Sequence, residues 1–378
     1  MDVLKSWRDP SSYITTLHVD EDCKNNEYTK EIIERFSGDV VIVPVGQSPV
    51  VSERDFPANL SDGKRHLYLT RNKGHFLKPC PATREYRCCD YHVLNTGMNC
   101  PIDCVYCILQ AYLNNPWISF YVNYEGMLDE IETELSAHPE ELYRIGTGEF
   151  TDSLAIDSIT RLSEKLVPFM AAKKNGMLEL KTKSGVVDYL QDLEHNSNTI
   201  VSWSLNSTRI LQKEEMRAAS LAERVEAAKK CISWGYRVGF HFDPIVDHEN
   251  WEKEYFETID YLYRELPAES IVWISLGALR YLPHLKDIGV RRFPGSTIYF
   301  QEFIEGLDGK SRYFRDNRTQ LYLSIYNRLK KYADEKTAIY FCMESDEVWR
   351  DVMGFVPEEK GGIHTMLEKA FWGYSVGG

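Results

Sequence analysis

With 378 residues the chain can bury a sizeable core, as one large domain or two to three small ones. Hydrophobic residues at 43%, charged residues at 27% and a net charge of −13 suit a soluble globular enzyme and argue against a protein coated in positive potential for polyanions. The opening M-D-V-L-K-S-W-R-D-P has no apolar h-region and the chain holds no run of about 18 apolar residues, which excludes a secreted or membrane-spanning reading and predicts a cytoplasmic protein.

Residues 1–85 read as an N-terminal α+β extension. Residues 28–36 carry Ile32, Ile33 and Phe36 on one helical face, and the β-branched run at 40–45 predicts a buried strand. Pro44, Pro49 and Pro57 punctuate the stretch between that strand and the next. A further strand is predicted at 66–70, before the irregular loop K-G-H-F-L-K-P-C-P-A-T. Cys80, Cys88 and Cys89 read as structural, with redox or ligand roles as the alternative.

A strand predicted at 91–97 leads into G-M-N-C-P-I-D-C-V-Y-C-I-L-Q-A-Y, where Cys100, Cys104 and Cys107 stand in C-x3-C-x2-C spacing. Thiolate is the soft ligand that zinc and iron-sulfur clusters prefer, and a tight loop aims all three sulfurs at one point. Three thiolates hold a cubane by three corners and leave one metal position open for a small molecule. Structural zinc wants four ligands, and Cys88 or Cys89 could supply the fourth, so that reading stays open. A disulfide among the three is at odds with a reducing compartment.

Residues 86–285 alternate short apolar runs with amphipathic helices. Further strands are predicted at 143–148, 177–183, 199–205, 237–243 and 270–276. Helical stripes comprise Ile156, Ile159, Leu162 and Leu166, then Leu221, Val225, Ala228 and Ile232 behind the capping box of Ser220 and Glu223, then Tyr255, Ile259, Leu262 and Leu266. Strands that alternate with helices predict a parallel sheet, and six fall short of the eight that close a full barrel. Ligands gather beyond the C-terminal ends of such strands. Here those ends read G-T-G-E, K-T-K-S, S-W-S-L-N, H-F-D-P and G-A-L-R, polar or glycine-rich where a buried strand would not be.

Residues 286–378 form a C-terminal α+β cap with a helix at 317–332, a strand at 338–342 and a final short helix at 345–352, packed across the open side of the sheet. From Arg280 to Lys331 there are 11 Lys or Arg against 5 Asp or Glu, a basic segment on an acidic body that is suited to phosphate or is simply a solvated face.

The C-x3-C-x-aromatic-C pattern, with Tyr106 as the aromatic, resembles the signature of radical S-adenosylmethionine (SAM) enzymes. The longer run C-P-I-D-C-V-Y-C-I-L-Q-A-Y-L-N-N-P-W-I-S-F-Y-V-N resembles the spore photoproduct lyases and their relatives, and the likeness extends over roughly residues 75–285. That resemblance implies an α/β partial (β/α)6 barrel, a 4Fe-4S cluster on Cys100, Cys104 and Cys107, and SAM chelated at the open iron. It further implies reductive cleavage to a 5′-deoxyadenosyl radical, with a reduced flavodoxin or ferredoxin as electron donor. Gly146 and Gly148 match the family's SAM motif, with Glu149 to pair with the methionine ammonium. Lys183 and Ser204 match residues that bind the SAM carboxylate and ribose, and Tyr106 lies beside the adenine.

Two positions depart from the lyase pattern. Glu149 stands where the lyases carry the cysteine that returns a hydrogen atom to the product, and Ile108 where they carry a tyrosine that helps relay it. Neither side chain can replace a thiol or phenol in hydrogen transfer. The expected activity is therefore radical SAM chemistry on a nucleotide-like or other substrate. The alternative is a true DNA photoproduct lyase with a relocated donor, for which Cys342 or Cys231 are candidates. The second alternative is a zinc- or Fe-S-stabilised binding module without catalysis.

Overall fold

The six predicted strands lie side by side in chain order. The computed structural model describes residues 7–81 and 85–373; residues 1–6, 82–84 and 374–378, at the ends of the two extensions and of the proline-rich loop, lie outside it. Its main sheet runs β1 (Leu77–Pro79), β2 (His92–Leu94), β3 (Tyr143–Gly146), β4 (Gly176–Thr182), β5 (Thr199–Ser204), β6 (Arg237–Ile245), β7 (Ile271–Ala278) and β8 (Ala338–Phe341). From β2 to β8 every neighbouring pair is parallel, and the β1–β2 edge is antiparallel. Strands β2 to β7 are the six of the expected partial barrel, and one strand is added at each edge of the curled sheet.

These strands are covered on both faces: β5 and β7 are buried along their whole length, with Trp203 and Trp273 fully enclosed. The crossover helix Leu221–Ser233 begins at the capping box anticipated from Ser220 and Glu223. The Ile156 to Leu166 stripe is two helices, Asp157–Thr160 and Ser163–Ala171, broken where Arg161 turns left-handed at φ 54°. Buried Asp157 accepts hydrogen bonds from both the Ser163 amide and hydroxyl, so a cap interrupts what periodicity reads as continuous.

A second, five-stranded sheet orders Asp39–Val43, Thr16–Asp20, His66–Thr70, Ile118–Tyr121 and Gly97–Met98. Ile118–Tyr121, from beyond the cysteines, pairs in parallel with His66–Thr70, which ties the cysteine loop to the N-terminal segment. The run at 40–45 is not buried as expected. Asp39–Val43 is an edge strand of which only Val43 is covered, because β-branched composition favours a strand without fixing what packs on it. In the C-terminal part β8 extends the sheet edge, while helix Arg315–Leu329 packs on helix Trp251–Glu265. Asp346–Met353 is followed by a further helix, Gly362–Trp372. The basic segment is largely neutralised within the fold: Arg280, Arg292, Arg312, Arg315, Arg318 and Arg328 all sit in ion pairs.

Inside the curled sheet a polar cluster replaces hydrocarbon. Glu179 Oε1 accepts from Ser202 Oγ at 2.8 Å, His241 Nε2 at 2.7 Å and Trp273 Nε1 at 3.1 Å, and Ser275 Oγ lies 2.6 Å from His241 Nδ1. A carboxylate only accepts, so the Nε2 proton is donated and Nδ1 takes the serine hydroxyl. Burial works to raise the Glu179 pKa, and His241, Arg144 and Lys181 outweigh it, leaving the carboxyl at about 2. A group held below its unfolded value stabilises the fold above that value and loses the contribution as pH falls toward the folded one. The unfolding free energy of the wild type, followed by urea denaturation, is therefore expected to fall more steeply from pH 5 to pH 3 than that of Glu179→Gln; parallel curves would show that the carboxylate carries none of the acid sensitivity.

Candidate active site

Beyond β2 the chain runs through Gly97–Met98 into the cysteine loop, whose carbonyls are fixed by side chains from distant parts of the sequence. The Lys64 ammonium, 2% exposed, reaches Asn99 Oδ1 at 3.0 Å, Cys100 O at 2.9 Å and Ile102 O at 2.8 Å. Gln110 Nε2 donates to Cys104 O, Val105 O and Cys107 O at 3.1, 3.0 and 3.3 Å. Arg292 grips Asp103 through both carboxylate oxygens at 2.8 and 3.0 Å and also hydrogen-bonds Gln110. Asn99, at φ 70°, turns the chain into the loop, and Asp103–Cys104 pairs antiparallel with Glu215–Met216. Cys100, Cys104 and Cys107 all face one cavity of about 610 Å³ at the C-terminal ends of the barrel strands.

Gly148, Glu149, Lys183, Ser204 and Tyr106 line the same cavity. Gly146 does not; a Cβ there would lie 1.6 Å from the Tyr91 hydroxyl, so this glycine admits Tyr91 into the core behind the site. Gly148 is excluded from carrying a side chain by Lys181 Cβ at 2.8 Å. The Tyr106 hydroxyl donates to Glu215, which pairs with buried Arg224, and the Lys183 ammonium lies 4.0 Å from Glu215. Burial works to raise the Glu215 pKa; Arg224 and Lys183 offset it and keep the carboxylate ionised below its usual range.

Several lining residues were not singled out from the sequence. Asp152 accepts from Thr182 Oγ1 at 2.6 Å and from the amides of Lys183, Leu154 and Ala155 at 2.7, 3.1 and 2.9 Å, and so staples the loop after β3 to the end of β4. Arg280 makes a two-point ion pair with Asp243 at 3.2 Å, joining the ends of β7 and β6. Lys181 faces the cavity; burial works to lower its pKa, but Glu149 and Asp243 raise it. The strand-end tetrapeptides K-T-K-S, H-F-D-P and G-A-L-R were the signal for Lys181, Asp243 and Arg280. Cys80, just past β1, also lines the cavity, and nothing in its proline-flanked context announced it. Cys231 is fully buried on the inner face of its helix, and Cys342 lies behind Arg280, 3.4 Å from Nη2. Ile108 forms part of the wall.

The three thiols fit a cluster better than a single ion. Tetrahedral zinc with Zn–S near 2.3 Å brings its sulfurs to about 3.8 Å from one another. Among the described residues the only trio of ligand atoms within 4.8 Å of one another is the exposed group His138, Glu140 and Glu141, so Cys100, Cys104 and Cys107 stand wider apart than one zinc ion requires. Neither Cys88 nor Cys89 is in the cavity wall.

Comparison with known proteins agrees with this geometry. Residues 85–342 match the family "Spore photoproduct lyase". Among curated relatives, the spore photoproduct lyase of Geobacillus sp. (strain Y412MC61) is 30% identical over 55% of this chain and 62% of its own length. That of Bacillus subtilis (strain 168) is 28% identical over 75% of this chain and 81% of its own length. Among solved structures, a spore photoproduct lyase mutant with bound AdoMet and dinucleoside spore photoproduct superposes with a TM-score of 0.78 at 22% identity, over 86% of this chain and 98% of that one. No helix among the described residues is long and apolar enough to cross a membrane. The chain belongs to the spore photoproduct lyase family of radical SAM enzymes, which work with a 4Fe-4S cluster and SAM.

Proposed function

We propose that the chain binds a 4Fe-4S cluster through Cys100, Cys104 and Cys107 with SAM beside it, and that the 5′-deoxyadenosyl radical this pair supplies takes a hydrogen atom from a nucleotide-class substrate. The observation that carries the reading is one cavity walled by the three thiols together with Gly148, Glu149, Lys183 and Ser204. The Lys183 ammonium, braced by Glu215, serves the methionine carboxylate, Glu149 the ammonium, Ser204 the ribose, and the Tyr106 ring the adenine. Gly148 gives the backbone close approach, while Met98, Ile102 and Phe150 exclude water from the radical. Lys181, Arg280 and Lys310 line the same cavity and present N–H donors to a phosphate-bearing substrate, with Arg280 and Lys310 held in place by Asp243 and Asp308. Solved relatives carry dinucleoside spore photoproduct, which supports a substrate of that class. A reduced flavodoxin or ferredoxin is the electron donor this reading requires.

One observation favours lesion reversal as the specific reaction. Cys80 brings a thiol to the cavity from the β1 edge, a candidate for the donor role that the resemblance leaves without a cysteine at Glu149. In this second reading the Cys80 S–H bond breaks, its hydrogen atom forms the new C–H bond on the product radical, and a thiyl radical remains on sulfur.

Cys104→Ala is expected to lose most iron and sulfide after anaerobic reconstitution and to produce no 5′-deoxyadenosine from SAM; an undiminished cubane with undiminished SAM cleavage would remove the basis of the proposal. Irradiated DNA tests the second reading. Wild-type protein is expected to restore thymines, whereas Cys80→Ala is expected to form 5′-deoxyadenosine with repair reduced by about tenfold or more. Repair unchanged in Cys80→Ala excludes Cys80 as the donor, and 5′-deoxyadenosine without repair by the wild type points to a substrate other than the thymine lesion.

A further inference from the structure

The five-stranded sheet ends at Asp39–Val43, which among the described residues pairs through one edge alone, with Thr16–Asp20. Asp39 N donates to Thr15 O at 3.0 Å. Main-chain groups alternate in direction along a strand, so those of Asp39, Val41 and Val43 face that ladder, and the N–H and C=O of Val40 and Ile42 face away from it. Side chains alternate between faces as well. Val40 and Ile42 stand in register with Leu17 and Val19, both fully buried, yet are themselves 41% and 46% exposed. Val41, on the other face, is 43% exposed. The apolar core face thus runs out to the edge of the sheet and stops there uncovered.

Edge strands are ordinarily kept from pairing by charged side chains, proline or a bulge. Here residues 40–52 carry no charged side chain, in a chain where 27% of residues are charged, and the first proline is Pro44. The ladder to Thr16–Asp20 runs without a register shift. Orphan N–H and C=O groups at strand spacing are matched by the backbone of another strand. The sequence of this one makes it complementary to itself. Laid antiparallel to its own copy so that all five residues pair, it is centred on Val41. Val40 and Ile42 then exchange main-chain hydrogen bonds with the partner's Ile42 and the partner's Val40, and Val41 meets the partner's Val41 in the closer, non-hydrogen-bonded pairing. Each Asp39 falls opposite the partner's Val43, which leaves the two carboxylates about 13 Å apart along the strand, beyond the screening length of about 8 Å at physiological salt.

We infer that the chain self-associates through Asp39–Val43, as a two-fold dimer in which an antiparallel pair of these strands joins the two five-stranded sheets into one. Hydrogen bonds from Val40 and Ile42 set the register, and their side chains continue the apolar face from one copy to the other. Five residues a side fall short of the roughly 20–30 of a standard stable interface, so monomer and dimer are expected to exchange at micromolar protein. The inference is independent of the reaction proposed above.

Sedimentation equilibrium of the full chain, with its cluster reconstituted anaerobically, is expected to show a monomer–dimer equilibrium. Its dissociation constant should rise about fivefold or more in Val41→Lys and in Val41→Glu, because like charges then face each other across the axis. An equimolar mixture of these two variants is expected to associate about fivefold more tightly than either alone. A mixture of Val40→Lys with Val40→Glu sets no opposite charges face to face and should show no such recovery. Ile42→Pro removes an outward N–H but none that the ladder to Thr16–Asp20 uses, and is expected to abolish the dimer with circular dichroism and iron content unchanged. A wild type that stays monomeric into the high micromolar range would overturn the inference and leave the edge to a strand of another protein. A dimer indifferent to Val41→Lys, or recovery in the position-40 mixture and not in the position-41 one, would overturn it equally.

Discussion

The buried ammonium of Lys64 is the interaction on which the site's shape depends. A loop that carries three metal-binding thiols leaves several carbonyls without secondary-structure partners, and buried carbonyls must find donors. Lys64 satisfies three acceptors at once, two of them main-chain carbonyls, and lies 3.7 Å from the Asp103 carboxylate. An ammonium presents three donors on a long apolar stem, so one residue at the end of the short helix Asn59–Gly63 can reach the loop interior and fix its path. Asp103 in turn is shared with Arg292, and Arg292 with Gln110, which takes three further carbonyls. Removing any one member leaves a buried charge or donor unpaired, which in such settings costs about 3–5 kcal/mol. The thiols are therefore directed by an ionic frame drawn from distant parts of the chain.

The frame explains why the N-terminal segment is joined so closely to the barrel. Lys64 stands two residues before His66–Thr70, and that strand pairs with Ile118–Tyr121 on the far side of the cysteines. The loop is thus clamped by a sheet behind it and by Arg292 across it. At the strand ends the same economy recurs: Asp152 joins two loops, and Arg280 with Asp243 joins two strands. Deeper in the barrel Glu179 gathers donors from β5, β6 and β7, so the layer under the cavity is polar but closed, while the layer above it is polar and open.

Much of this was legible in the sequence, for physical reasons that also mark the limits. Six apolar runs alternating with amphipathic helices are satisfied by a parallel sheet under helices, and three cysteines in eight residues have few other uses. Lys64 and Arg292 were invisible because a lone cation in a sequence looks like a solvated one; only the long-range path of the chain buries it. Val40 to Ile42 misled in the opposite direction, since a β-branched run carries no information on whether a neighbour covers it. Arg161 broke a helix that periodicity joined, because the cap that ends the first turn belongs to Asp157 and Ser163 rather than to the stripe. Cys80 read as structural beside two prolines, and its place in the cavity follows from β1 pairing antiparallel with β2, a pairing that the short run Leu77–Pro79 did not signal.

Glu149 brings a carboxylate into the cavity wall. A carboxylate in a half-enclosed cavity needs a counter-charge, and Lys181 stands where it also faces Asp243, itself bound to Arg280. One wall has become an alternating row of charges, while Cys80, Met98 and Tyr112 belong to its less polar surroundings. A substrate that displaces water from the charged row must return hydrogen bonds to it, because an unpaired charge in such a place is costly. A ligand at this wall is therefore held best when it carries paired donors and acceptors on the edge presented to Glu149 and Lys181.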